Sequence, residues 1–81
     1  MNVNVLLFAE AKVVIGTSSI EVALPVGASV RQLRHEISQR FPTLHALLGR
    51  SAVAVNQRFV DDATTLSDQD EIAWIPPVSG G

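Results

Sequence analysis

VGASVRQLRHEISQRFP, residues 26–42, sets the architecture of this 81-residue chain. Val30, Leu33, Ile37 and Phe41 follow one another at spacings of three, four and four. That period places them on one stripe of an α-helix. Ser29 precedes the first apolar residue and Gln32 stands three positions later, the pattern of a capping box. Pro42 closes the segment, because the residue before a proline is pushed out of the helical region. Arg31, Arg34, Glu36, Gln39 and Arg40 fill the polar side. A single amphipathic helix has one apolar face to bury, and the flanking sequence supplies a sheet to bury it against.

Outward from the helix the apolar period changes to two. Val3, Val5 and Leu7 alternate with Asn2, Asn4 and Leu6, so residues 3–9 read as a strand, which residues 13–15 extend or pack beside. GTSS, residues 16–19, is a turn cluster. Ile20, Val22 and Leu24 alternate with Glu21 and Ala23 up to Pro25, a second strand that completes an opening β-hairpin. After the helix, Leu44, Leu47 and Leu48 form a helical turn or apolar loop ending at Gly49. AVAV at 52–55 is a third strand, and Asn56-Gln57-Arg58 turn the chain tightly into a short one at Phe59 and Val60. DDATTLSDQD, 61–70, is an acidic turn region anchored by Leu66. EIAWIP, 71–76, is the last strand, with Ile72 and Trp74 on one side and Ala73 and Ile75 on the other. Apolar residues on both sides put it inside the sheet. The order ββαβββ is an α+β layer fold.

The bulk composition agrees with one small domain. Hydrophobic residues are 47% and charged residues 17%, outside the range of disordered chains. A net charge of −2 leaves no basic patch for a run of phosphates, so nucleic acid is not an expected partner. No apolar run approaches the ~20 residues that span a bilayer, and the first twelve residues lack the basic start of a signal peptide. The expected location is the cytoplasm. The absence of cysteine excludes a disulfide framework, a thiolate metal site and a cysteine nucleophile.

Conventional catalytic patterns are missing. His35 and Glu36 lack the second histidine of a zinc-binding H-E-x-x-H helix, so His35 reads as a solvated helical residue. His45 reads as a surface or half-buried turn residue. There is no G-x-S-x-G elbow and no glycine-rich phosphate loop. Asp61, Asp62, Asp68, Asp70 and Glu71 are better explained as solvated turns than as a hard-cation site, and they also suit a negative docking patch. No resident metal is expected.

The end of the chain, IPPVSGG at 75–81, is the part with chemical character. Pro76 and Pro77 fix φ near −65° and project the last four residues away from the sheet. Val78 can anchor in an apolar pocket, while Ser79, Gly80 and Gly81 are thin enough for a narrow channel. Residues 76–81 reach roughly 20 Å when extended. At the tip is the Gly81 carboxylate, a poor electrophile until adenylated. The plain alternative is a frayed terminus.

LLFAEAK, LPVGASVRQL, AVAVNQRFV and LSDQDEIAWIPPVSGG cover most of the chain. Together they resemble the ubiquitin-like β-grasp proteins, and within these the small-subunit sulfur carriers of molybdopterin synthase. The resemblance implies a mixed β-sheet of four to five strands with one main helix on one face, over residues 1–75, and a Gly-Gly tail over 76–81. It implies that a ubiquitin-activating-enzyme-like adenylyltransferase uses ATP and Mg to adenylate Gly81, which then becomes a thiocarboxylate. The tail, Pro76 through Pro77, Val78, Ser79 and Gly80, enters the large synthase subunit and donates sulfur to cyclic pyranopterin monophosphate. A heterotetramer fits the two sulfurs needed. The chain itself binds no cofactor and catalyses nothing alone. Ile75 and Phe59 are candidates for the partner surface, although plain core explains Phe59 slightly better. Gln69 stands where the family commonly has glycine, and residues 8–14 are less charged than usual, which weakens Lys12 as a contact. Carriage of sulfur for thiamine or tRNA thiolation, a ubiquitin-type modifier and a passive binding module are the alternatives.

Overall fold

Ser29 starts the main helix, α2 (Val30–Arg40), with both halves of the capping box formed. The Ser29 hydroxyl accepts the Gln32 N–H at 3.3 Å, and the Gln32 side chain accepts the Ser29 N–H at 2.9 Å. The helix stops at Phe41, ahead of Pro42. Val30, Leu33 and Ile37 are fully buried. The structure is a computed structural model and describes residues 1–76.

Among the described residues five strands form one sheet: β1 (Asn2–Leu7), β2 (Ser19–Ala23), β3 (Ala52–Val55), β4 (Arg58–Val60) and β5 (Glu71–Ile75). Their spatial order is β2-β1-β5-β3-β4. Only β1 and β5 run parallel; the other neighbours are antiparallel. The last strand is therefore central, as its two apolar sides predict. Registers Val5 with Ile72, Leu7 with Trp74 and Val53 with Trp74 put these side chains on one face, where they join Val30, Leu33 and Ile37 in a single core.

One segment differs from the sequence reading, and in a second the helical of two alternatives is the one found. Residues 9–15 are a helix, α1 (Ala9–Ile15), and not an extension of the first strand. Ala-Glu-Ala-Lys are good helix formers, and Gly16 ends the helix with φ +89° and its N–H on the Lys12 carbonyl at 2.8 Å. The opening pair β1–β2 is antiparallel but joined through this helix and not by a tight turn. The segment after Pro42 is more regular than a loop: a 3₁₀ turn (Pro42–Leu44) leads into α3 (His45–Arg50). The β3–β4 connection is tight, with both Asn56 and Gln57 at positive φ. That is the type I′ signature suited to strand twist.

Candidate functional site

β5 leads directly into the tail, so its surroundings define the root from which the C-terminus departs. β5 is hydrogen-bonded on both sides, to β1 and to β3, and Ile75 lies opposite Ala52. Trp74, 1% exposed, pins the strand to the core. Pro76 is half-buried where it leaves the sheet. Pro77, Val78, Ser79, Gly80 and Gly81 lie outside the described residues.

Arg34 braces this root, a role that its place among the polar residues of α2 does not suggest. Its guanidinium carbon sits 5.2 Å from the centre of the Trp74 ring. Its Nε donates to Asp62 Oδ1 at 2.8 Å, Nη2 donates to the Ser51 carbonyl at 2.9 Å, and Nη1 donates to the Leu48 carbonyl. One planar fork thus ties α2 to the end of α3, to the loop after β4 and to β5. The sequence does carry a signal for it: Arg34 is four residues after Val30 and three before Ile37, at the edge of the apolar stripe. Among the described residues the buried Trp74 indole N–H has no hydrogen-bond partner.

The sheet face away from α2 carries a row of apolar residues. Leu6 pairs with Ala73, Ala73 with Ala54, and Ala54 with Phe59, so the row crosses four strands at one level. Ile75 lies on the same face, two residues beyond Ala73. Phe59 is 73% exposed, so it is not the core residue that the sequence favoured. Its neighbour Val60 turns inward against the core. Phe8, 44% exposed, follows Leu7, whose partner Trp74 precedes Ile75. Phe8 and Phe59 are thus the large exposed apolar residues of this face, with half-buried Leu6 and Ile75 and the small Ala73 and Ala54 among them.

The remaining candidates take structural roles. Asp61 accepts the Ala63 N–H at 3.0 Å, Asp68 the Asn2 N–H at 2.9 Å, and Asp70 the Ser67 N–H at 2.7 Å. These carboxylates act as turn ties. Gln69 has φ +70°, the conformation that glycine takes without strain. His35 and His45, ten positions apart in sequence, both line an open groove of about 620 Å³ between α2 and α3. Among the described residues no three His, Cys, Asp or Glu side chains are grouped to hold a metal ion, and no helix is long and apolar enough to cross a membrane.

A mixed five-stranded sheet with its main helix on one face, and a Gly-Gly tail continuing from the central strand, defines a ubiquitin-like β-grasp protein. The sequence matches the ThiS family over residues 5–81, and the chain belongs to that family. It is 42% identical to the molybdopterin synthase sulfur carrier subunit of Dictyostelium discoideum, across 96% of this chain and 94% of that protein. Among solved structures it is similar to a chain in the complex of subunits 1 and 2 of the molybdopterin-converting factor from Helicobacter pylori. That match has a TM-score of 0.71 and 32% identity, and it covers all of both chains. It is also similar to small archaeal modifier protein 1 of Methanosarcina acetivorans, with a TM-score of 0.84 and 26% identity over 99% of this chain and 96% of the other.

Proposed function

We propose that this chain is the sulfur carrier subunit of molybdopterin synthase, with the Gly81 carboxyl group as the carrier atom set. The observation that carries the reading is a full-length likeness to such subunits on a β-grasp whose central strand continues into the Gly-Gly tail. Adenylation joins the Gly81 carboxylate to the α-phosphate of ATP and releases pyrophosphate. The mixed anhydride has a good leaving group. A donor persulfide attacks the Gly81 carbonyl carbon and AMP departs. A second thiol then attacks the donor's sulfur in the acyl disulfide, so that the S–S bond breaks to leave the Gly81 thiocarboxylate and a disulfide between donor and thiol. Sulfur passes to cyclic pyranopterin monophosphate, and water returns Gly81 to the carboxylate.

ATP and Mg belong to the activating adenylyltransferase, and this chain holds no cofactor. Bases and phosphate-binding cations come from the large subunit, so the chain acts only as one half of a two-subunit enzyme. Two pterin sulfurs are served by a heterotetramer with two carriers, in the cytoplasm. Pro76, Pro77, Val78, Ser79 and Gly80 form the inserted arm. Ile75, Phe59 and the apolar row between them form the docking face, which a partner covers while the tail is in its active site.

The test is the intact mass after incubation with the adenylyltransferase, ATP, Mg and a sulfur donor. A gain equal to exchange of one oxygen for sulfur, mapped to Gly81, supports the carrier role. An unchanged mass beside a demonstrably active adenylyltransferase overturns it. One added residue after Gly81 should abolish charging, because the reactive carboxyl is displaced. The likeness to a small archaeal modifier favours a second reading, in which Gly81 is joined to lysines of other proteins. Isopeptide adducts in lysate ending in Gly81 distinguish it. Carriage for thiamine or tRNA thiolation differs only in the acceptor of the sulfur.

A further inference from the structure

The two edges of the sheet are unlike. β4 has three residues, and so short an edge offers little for another strand to pair with. β2, at the opposite edge, has five, with no lysine, no proline and one charge, Glu21. Its register against β1 runs without a bulge. The main-chain bonds show which of its groups are left over. The Met1 nitrogen donates to the Leu24 carbonyl at 2.7 Å, and the Leu24 N–H donates back to the Met1 carbonyl at 2.8 Å. The Leu7 N–H donates to the Ser18 carbonyl at 2.8 Å. Bonded pairs alternate along an antiparallel ladder, so Ile20 and Val22 turn their main chain towards β1. Ser19, Glu21 and Ala23 turn theirs outward. Thr17 Oγ1 donates to the Ser19 carbonyl at 3.2 Å and Arg40 Nη1 to the Glu21 carbonyl at 3.3 Å. Among the described residues the three outward N–H groups and the Ala23 carbonyl have no protein partner.

α2 lies alongside this edge. Arg40 reaches Glu21, and Arg31, Gln32, His35 and Glu36 line an open groove of about 410 Å³ with Leu24 and Pro25. Residues 31 to 40 rise about 13.5 Å along a helix, and residues 21 to 25 about 13 Å along an extended chain. The two segments are thus matched in length and opposite in direction. Leu24 and Pro25 give the groove an apolar side. The α2 side carries Arg31, His35 and Arg40 against Glu36, all exposed. Most acidic residues of the chain lie elsewhere, within residues 61–71.

We propose that the β2 edge and its groove dock an extended segment of another protein, which adds to the sheet as a further strand. Main-chain bonds to Ser19, Glu21 and Ala23 supply the affinity, and alternate side chains supply the specificity. One set of those side chains enters the groove and is apolar. The ends of the segment are acidic, to lie beside Arg31 and Arg40. A second copy of this chain fits the edge worse. Antiparallel pairing of β2 with itself, in the register that uses all five residues, sets Glu21 directly against Glu21, and like charges in that position repel. The apolar row on the open face crosses β1, β5, β3 and β4 but not β2, so a strand seated here leaves that row uncovered. The site does not involve Gly81 and is independent of the carrier role.

The probe is a capped peptide, Asp-Asp-Val-Ile-Val-Ile-Asp-Asp, titrated into the isotope-labelled full chain and followed by amide NMR. The expected result is saturable binding, with shifts confined to Ser19–Ala23 and to residues 31–40. The Ser19, Glu21 and Ala23 N–H groups should become protected from hydrogen exchange. Lysine in place of every aspartate should weaken binding by at least about tenfold, and so should proline in place of the first isoleucine. Arg31→Glu should weaken it similarly without moving the urea midpoint. No binding, shifts centred on Phe59, equal affinity for the lysine peptide, or self-association through β2 would each overturn the proposal.

Discussion

Arg34 shows how a charged residue on a helix becomes part of a core. Its neighbours in sequence are solvated, and residue type alone assigns it to water. Its position at the edge of the apolar arc brings it over Trp74 and within reach of the Leu48 and Ser51 carbonyls at the end of α3. Removing it takes one donor from each of these carbonyls, of which Leu48 keeps the Ser51 N–H at 3.3 Å, and uncovers a ring face. Arg34→Ala should therefore cost about 2–3 kcal/mol in urea unfolding. Arg34→Lys should recover only part, since an ammonium cannot match a planar fork. Asp62→Asn should cost less than about 1 kcal/mol, because the Asp62 side chain is 38% exposed and the ion pair is screened. Gln69 makes the opposite case. An L-residue at left-handed φ is strained by about 1–2 kcal/mol, and glycine gives back about half in unfolded-state entropy. Gln69→Gly should stabilise by about 0.5–1 kcal/mol in the same assay, provided the backbone bond from Gln69 to the Asn2 carbonyl at 3.1 Å is kept.

Among the elements, α2 is legible in full and α1 is not. The start, stripe and stop of α2 each have a local cause that residue order displays: Ser29 with Gln32, the spacing of Val30, Leu33 and Ile37, and Pro42. α1 is too short for a period to emerge, and Val13, Val14 and Ile15 carry strand propensity. What decides it is tertiary. Ala11 is buried, and the chain must cross from the end of β1 to its antiparallel neighbour β2. Gly16 reads correctly as a turn, but its partner, the Lys12 carbonyl, cannot be read from its type. Gly16→Ala meets no atom within 4 Å, so its cost is backbone strain alone. It should lower stability by about 1 kcal/mol and speed hydrogen exchange in α1 ahead of the rest. Ser29→Ala should cost a similar ~1 kcal/mol, with the loss focused on the first turn of α2.

At the scale of the whole molecule, residue order shows a central last strand and a tail but not what surrounds their junction. The pairing of Ala54 with both Ala73 and Phe59 depends on registers between distant strands, which no local pattern encodes. Phe59 resembles core because it is a large apolar residue next to Val60, yet in a three-residue edge strand alternate side chains face opposite sides. The open face is consequently small and flat at its centre, with Phe59 standing out at one margin. Phe59→Asp should leave unfolding stability within about 0.5 kcal/mol of the parent, as for other exposed positions. If the face docks the large subunit, the same change should weaken that complex by at least about tenfold in titration calorimetry. An unchanged affinity would move the interface elsewhere.

The position of β5 between β1 and β3 has a mechanical consequence. A force drawn along the C-terminus pulls β5 lengthwise against both neighbours at once. The rungs on either side run across the strand and share the load in shear, so they cannot open one after another like a zipper. A force applied to the edge strand β4 meets one neighbour only. The C-terminal strand is thus the one that best resists being pulled apart. A protease that threads its substrates from the C-terminus should stall on this fold longer than one that enters elsewhere.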